Sequence, residues 1–402
     1  MAPLLQILLL LAIVIFLAKA AGWLASRLGQ PAVLGELLVG LLLGPTVLNV
    51  LGWPAFSGAT TAEMVTLLAE VGVIVLMLIA GLEVDLRELR RAGRSALLSG
   101  VLGVVFALAG GWGISLLFGY DSPTAFALGV LLAATSVSIS AQVLLELGAL
   151  RSQEGMALLG AAVVDDILVI VILSAEMAFR GGQGGVEGVF LVLGRMVLFL
   201  GVGGFLCLWG LPRLMRYVDR WPVSAAVPAT ALVVTFFFAW ASDFLGGIGT
   251  ITGAFLVGLG LRRSAVHRNI VEAMHTMGYA LFVPLFFVSV GLQANLRTLN
   301  PGLLAFVGVL ILATVVSKAW GNGLGAWLGG LPPAAALRVG LGMIPRGEVT
   351  LIAATVEMRA GWVDKEFFAV AVLMVLVTAL ASPLLLRRAF RPAEARLSRQ
   401  GR

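Results

Sequence analysis

The sequence predicts an all-α polytopic membrane protein with thirteen transmembrane helices. Three observations carry that expectation: the shortage of charge, the alternation of basic loops, and an internal repeat. Of the 402 residues, 60% are hydrophobic and only 12% charged, and the mean hydropathy is +1.05. Soluble domains carry about 25% charged residues, so this chain has too little charge to coat a soluble core of its size. The 50 glycines suit membrane helices, where small residues let backbones approach closely. A net charge of +6 would point to nucleic acid if the basic residues formed a solvent-facing stripe, but they fall in short clusters between apolar runs. The single cysteine, Cys207, lies in an apolar run and excludes an internal disulfide; it reads as a small core residue.

A span needs about 20 mainly apolar residues. Runs of that kind lie near 4–26, 32–51, 63–82, 95–118, 123–147, 155–179, 187–211, 222–242, 246–261, 276–293, 301–329, 335–357 and 366–386. The run at 246–261 is short. The first is too long, and too poor in basic residues ahead of it, for a cleaved signal peptide. Connections after odd-numbered spans, together with the tail, hold eighteen of the 27 Lys and Arg residues; those after even-numbered spans hold four. Lys19, Arg195, Lys318, Arg338 and Arg346 lie within spans. By the positive-inside rule the N-terminus is outside and the C-terminus cytoplasmic.

The chain also repeats itself. Gly35-Glu-Leu-Leu-Val-Gly-Leu-Leu-Leu43 matches Gly253-Ala-Phe-Leu-Val-Gly-Leu-Gly-Leu261, and Gly81-Leu-Glu-Val-Asp-Leu-Arg87 matches Gly291-Leu-Gln-Ala-Asn-Leu-Arg297. The second match joins spans seven apart, and an odd separation means that the copies run in opposite directions. Inverted repeats of this kind mark transporters that rock between two access states. The repeat pairs a polar stretch, Thr135-Ser136-Val-Ser138-Ile-Ser140-Ala-Gln142, with Ile-Pro345-Arg346-Gly347-Glu348-Val-Thr350. Proline lacks a donor and glycine loosens the backbone, so neither segment suits a regular lipid-facing helix. Interruptions at corresponding positions in two halves point to a binding site between broken helices. Freed carbonyls there can coordinate a cation, and Arg346 and Glu348 can balance the dipole ends of the half-helices or each other.

The sixth span holds two adjacent carboxylates, Asp165 and Asp166, in Val-Val-Asp-Asp-Ile-Leu-Val-Ile-Val. One aspartate at a helix centre costs about 2.5–3.5 kcal/mol to insert, so both must face protein or water. Successive helix residues point about 100° apart, so one can face a buried cation and the other an ion-accessible cavity. Lys318, mid-way along the eleventh span, supplies the cation. A purely structural salt bridge would explain one carboxylate and leave the other unpaired. Burial disfavours the charged form of both residue types, and titratable groups beside a cation site are what proton-coupled exchange requires. Glu36, Glu63, Glu70 and Glu176 also lie in or near spans and read as interface or helix-contact residues.

Together, Asp165-Asp166, the Thr135-Ser136 break, Lys318 and Ile-Pro-Arg-Gly-Glu348 resemble bacterial sodium/proton antiporters. The similarity is greatest to the electrogenic branch of the monovalent cation:proton antiporter-2 family and covers nearly the whole chain. The resemblance implies thirteen helices with two crossing broken helices, and a homodimer in the bacterial inner membrane surrounded by lipid. It implies transported Na+ (with Li+ as a second candidate) and H+, no cofactor and no enzymatic activity. Residues 63–180 and 276–388 would form the ion-transporting core, 1–62 and 181–275 the dimerisation helices, and 389–402 a short basic tail. Asp166 would be the main ion-binding carboxylate and Asp165 the partner of Lys318, with Thr135 and Ser136 beside the ion. Electroneutral relatives carry Asn where Asp165 stands. Potassium-efflux relatives append a nucleotide-binding domain where this sequence carries only its short tail, so potassium/proton exchange is the second reading. An intramembrane aspartyl protease needs its aspartates on separate helices, whereas these are adjacent. A passive channel has no use for a titratable Asp–Lys pair.

Overall fold

In hydrocarbon a backbone must satisfy its own polar groups, and for apolar runs of this length the helix is the local solution. The computed structural model describes residues 3–56, 59–84, 86–180, 185–293, 297, 301–359, 361–363 and 365–400, and every regular element among them is helical. Among the described residues ten apolar helical runs are long enough to cross a bilayer, from Leu4–Arg27 to Glu366–Phe390. Three shorter apolar helices, Ala32–Leu43, Thr250–Leu261 and Val349–Met358, fall where the sequence places further spans.

Several spans depart from uniform rods. The run expected at 123–147 is two helices, α5 (Ser122–Ala133) and α6 (Val137–Glu146), and the run at 335–357 is also two, α15 (Pro333–Gly342) and α16 (Glu348–Arg359). The short run at 246–261 narrows to α11 (Thr250–Leu261), because Gly247 and Gly249 ahead of it have φ of 68° and 77°, a left-handed backbone that glycine adopts without a Cβ penalty. The helix expected at 276–293 starts earlier, at His267, and passes through a π-helical turn at Gly278–Phe282 before ending at Leu292.

The chain forms two compact units. One comprises Met1–Ala62, Arg87–Val169 and Phe287–Arg402; the other comprises Glu63–Leu86 and Ile170–Phe286. These compact units divide the chain at different places from the functional domains expected above.

In the first unit, α2 (Ala32–Leu43) packs against α13 (Val283–Leu292). A Cβ on Gly40 would collide with the Val288 carbonyl, and one on Gly291 would collide with the backbone of Gly40 and Leu41. In the second unit, α11 packs against α3 (Ala59–Glu83) in the same way, with Gly258 against Leu78 and Gly81, and Gly81 against Phe255 and Gly258. These four glycines are repeat mates: Gly40 corresponds to Gly258 and Gly81 to Gly291. Each unit therefore joins one helix of the first copy to one of the second through a glycine-to-glycine contact. Small residues permit that close approach where apolar burial does not distinguish helix from lipid.

Candidate ion-binding site

The site begins at the two breaks, both in the first unit. Between α5 and α6 the backbone at Ala134 and Ser136 is extended, and between α15 and α16 residues 344–347 are non-helical. The two segments cross and satisfy each other. Ser136 N donates to the Pro345 carbonyl at 2.9 Å, the Ser140 hydroxyl to the Gly342 carbonyl at 2.5 Å, and the Thr350 hydroxyl to the Ala134 carbonyl at 3.1 Å. A Cβ at Gly347 would fall 2.6 Å from that of Ser136, so glycine is what lets the segments meet. Exchanging donors and acceptors across the crossing is how irregular backbone survives at membrane depth.

Arg346 occupies the crossing and is fully buried. Its backbone N–H donates to the Thr378 hydroxyl at 3.0 Å. Its guanidinium donates to the Thr135 hydroxyl at 3.1 Å and to the Met343 carbonyl at 3.5 Å. Met343 caps the C-terminal end of α15, which carries partial negative charge, so the cation stands where the helix dipole favours it. Nε and Nη2 of Arg346 have no hydrogen-bond partner among the described residues. The Glu348 side chain lies outside the described residues.

The carboxylates sit on α7 (Gln153–Arg180) and the lysine on α14 (Leu304–Leu328). Lys318 Nζ donates to Asp165 Oδ1 at 2.6 Å, with both side chains 0% exposed. Asp165 Oδ2 is buried without a hydrogen-bond partner among the described residues. Asp166, one residue on, is 7% exposed. Asp165, Asp166 and Arg346 all lie within electrostatic reach of Lys318. Three buried groups of alternating sign, with a second carboxylate beside them, form a charge-dense site in a medium that strengthens every interaction within it. Ser136 and Ser138 hydroxyls lie 3.0 Å apart next to the break, and Thr135 Oγ1 both donates to the Ala133 carbonyl at 3.4 Å and accepts from Arg346.

α4 (Leu86–Leu117) sets the register between the two charged helices. On one side, a Cβ at Gly100 would fall 2.7 Å from Val164 Cβ and 2.8 Å from the Ala161 carbonyl of α7. On another side, the Asn322 amide of α14 lies against Gly103. Asn322 Nδ2 donates to the Ser99 carbonyl at 2.9 Å, and the Ser99 hydroxyl returns a bond to the Asn322 carbonyl at 3.0 Å. Asn322 stands one turn beyond Lys318, so this reciprocal clamp fixes the stretch of α14 that carries the ammonium. Sequence reading missed Ser99, Gly100, Gly103 and Asn322. The available signal was the stripe Gly321, Gly325 and Gly329, the last being the C-cap of α14, a small-xxx-small pattern, since these glycines pack on α4 at Leu102, Leu98 and Ser95 respectively. Of the remaining acidic residues, Glu63 and Glu70 are exposed, whereas Glu36 and Glu176 are buried.

Residues 12–390 match the sodium/hydrogen exchanger, transmembrane family. The chain is 36% identical over 381 residues to the Na+/H+-K+ antiporter GerN of Bacillus cereus, covering 94% of this chain and 95% of that one. It is 33% identical over 380 residues to a Na+/H+ antiporter of Enterococcus hirae, covering 94% and 96%. The sodium proton antiporter MjNhaP1 of Methanocaldococcus jannaschii shares the fold, with a TM-score of 0.71 over 95% of both chains at 17% identity. The chain belongs to the sodium/hydrogen exchanger family.

Proposed function

We propose that this exchanger moves sodium and protons in opposite directions by alternating access, electrogenically, with Asp166 as the cation-binding carboxylate. The observation that carries the reading is the fully buried 2.6 Å Lys318–Asp165 pair with Asp166 beside it. Sodium entering between the two aspartates competes with the ammonium for Asp165. A buried ammonium deprived of its counter-ion is costly, so Lys318 then releases its proton, and Asp166 gives up another. Two protons against one sodium moves one net charge per cycle, worth about 2.3 kcal/mol for each 100 mV. Thr135 and Ser136 line the break next to the ion, and Arg346 steadies the α15 dipole. In the same reading the N-terminus is outside, the C-terminus is cytoplasmic, and the chain works as a homodimer held by residues 1–62 and 181–275. Potassium is the second candidate cargo, since one relative's name includes it.

The decisive measurement is cation-induced dequenching of a pH dye in proteoliposomes, with sodium, lithium and potassium in turn. Asp166→Asn should reduce proton flux to that of empty vesicles while the protein stays folded; near wild-type flux would overturn the assignment. Lys318→Gln should retain residual exchange but lose current on a solid-supported membrane. An unchanged ratio of current to flux would make Lys318 a structural brace.

A further inference from the structure

A second carboxylate–lysine group lies away from the crossing, where α1 (Pro3–Arg27), α2 and α6 meet. Lys19 Nζ stands 3.4 Å from Glu36 Oε1, with side chains 47% and 6% exposed. Glu146, at the last residue of α6, accepts from Ala32 N at 2.6 Å and Val33 N at 3.3 Å, the first amides of α2. Its charge is thereby matched by the positive end of that helix. Gln142 Nε2 donates to Glu146 Oε1 at 2.9 Å. That bond fixes the amide's orientation, because the reverse would set two acceptors against each other. Gln142 Oε1 is left buried with no hydrogen-bond partner among the described residues, in a residue only 4% exposed.

Register places Gln142 on the Glu36 side of this corner. The start of α2 meets the end of α6 and the two helices are in contact; laid side by side from that corner they run antiparallel. One turn into α2 from Ala32 is Glu36, and one turn back along α6 from Glu146 is Gln142. Gln142 therefore stands abreast of Glu36, and Glu36 in turn lies within electrostatic reach of Glu146 and Lys19.

We propose that Glu36, Gln142 and Glu146 form a second monovalent-cation site, in which the ion displaces the Lys19 ammonium. The chemistry fits. Among the described residues the buried carboxylate has one long contact, to a half-exposed lysine, and the carbonyl oxygen of Gln142 lacks a donor, a costly state when buried. Once α2 has matched Glu146, one negative charge remains when Lys19 swings into water, which suits a singly charged ion. Glu146 is exposed at the last residue of α6, where the chain turns through residues 147–152, so the group opens at a helix end. The inference goes beyond the exchange reaction and does not depend on which residues carry it.

The test separates the two sites. The full chain carrying Asp165→Asn, Asp166→Asn and Lys318→Gln has no core carboxylate left to take a cation, and the buried Arg346 is common to every arm of the comparison. In that background sodium chloride, compared with choline chloride at equal ionic strength, should raise the unfolding temperature by about 1–3 °C. Adding Glu36→Gln should remove the shift. Adding Lys19→Gln instead should lower the half-saturating sodium concentration by up to about tenfold, since a competing, partly exposed ammonium is gone. Gln142→Met should weaken the sodium response without lowering stability in choline. A background that responds equally to sodium and choline overturns the proposal, and so does a sodium response that survives Glu36→Gln.

Discussion

The chain holds two lysine–carboxylate pairs that look alike in sequence, each a lone lysine in one apolar helix and a glutamate or aspartate in another. They differ in solvent access and therefore in what they can do. Lys318 and Asp165 are 2.6 Å apart with no exposure, whereas Lys19 and Glu36 are 3.4 Å apart with the lysine 47% exposed. The first pair cannot separate unless something takes the ammonium's place, which in the proposed exchange makes it the coupling point. The second can separate by letting the half-exposed Lys19 swing away, so in the proposed second site an ion binds and leaves with no other change. On that reading a lysine–carboxylate pair serves for coupling at one depth and for reversible capture at another.

The sharpest way to break the comparison is to strand one charge. Asp165→Asn leaves Lys318 buried without its ion-pair partner, and should cost about 3–5 kcal/mol of stability. Adding Lys318→Gln should restore most of it, as read by thermal unfolding in detergent; equal loss in the single and double variants would mean that the pair is solvated. A smaller effect is expected at the clamp that holds Lys318 in register. Asn322→Ala leaves the Ser99 carbonyl without its donor and opens space over Gly103, a loss of about 1–3 kcal/mol. The smallest effect belongs to the partly exposed pair: Lys19→Gln should change stability by no more than about 1 kcal/mol. A larger loss there would show the two pairs to be equivalent and remove the distinction drawn between them.

The crossing of the breaks shows how far the sequence could be read. Pro345, Gly347 and the serine run of 136–140 announced two interruptions, because each residue type disturbs a helix in a recognisable way. That Ser136 N meets the Pro345 carbonyl, and Thr350 the Ala134 carbonyl, was not legible, since those bonds join residues about 210 positions apart. Arg346 could be placed at a break but not assigned its partners. Its hydrogen bonds to Thr135 and Met343 depend on which half-helix end it meets.

The sequence alone determined the class, the approximate placing of most apolar spans, the internal repeat and the position of Asp165, Asp166 and Lys318 inside spans. Each rests on local composition or spacing: a charge in an apolar run is visible wherever the helix finally packs. Tertiary structure alone decided that Lys318 pairs with Asp165, that Asn322 clamps α4, and that Gln142 donates to Glu146 while its own oxygen is buried without a hydrogen-bond partner among the described residues. It also decided the exchange of repeat mates, by which Gly40 meets Gly291 while Gly81 meets Gly258. Apolar burial barely distinguishes one helix neighbour from another in a bilayer, so packing of small residues and the need to satisfy each polar group select the partners. Those requirements apply only once the helices are side by side.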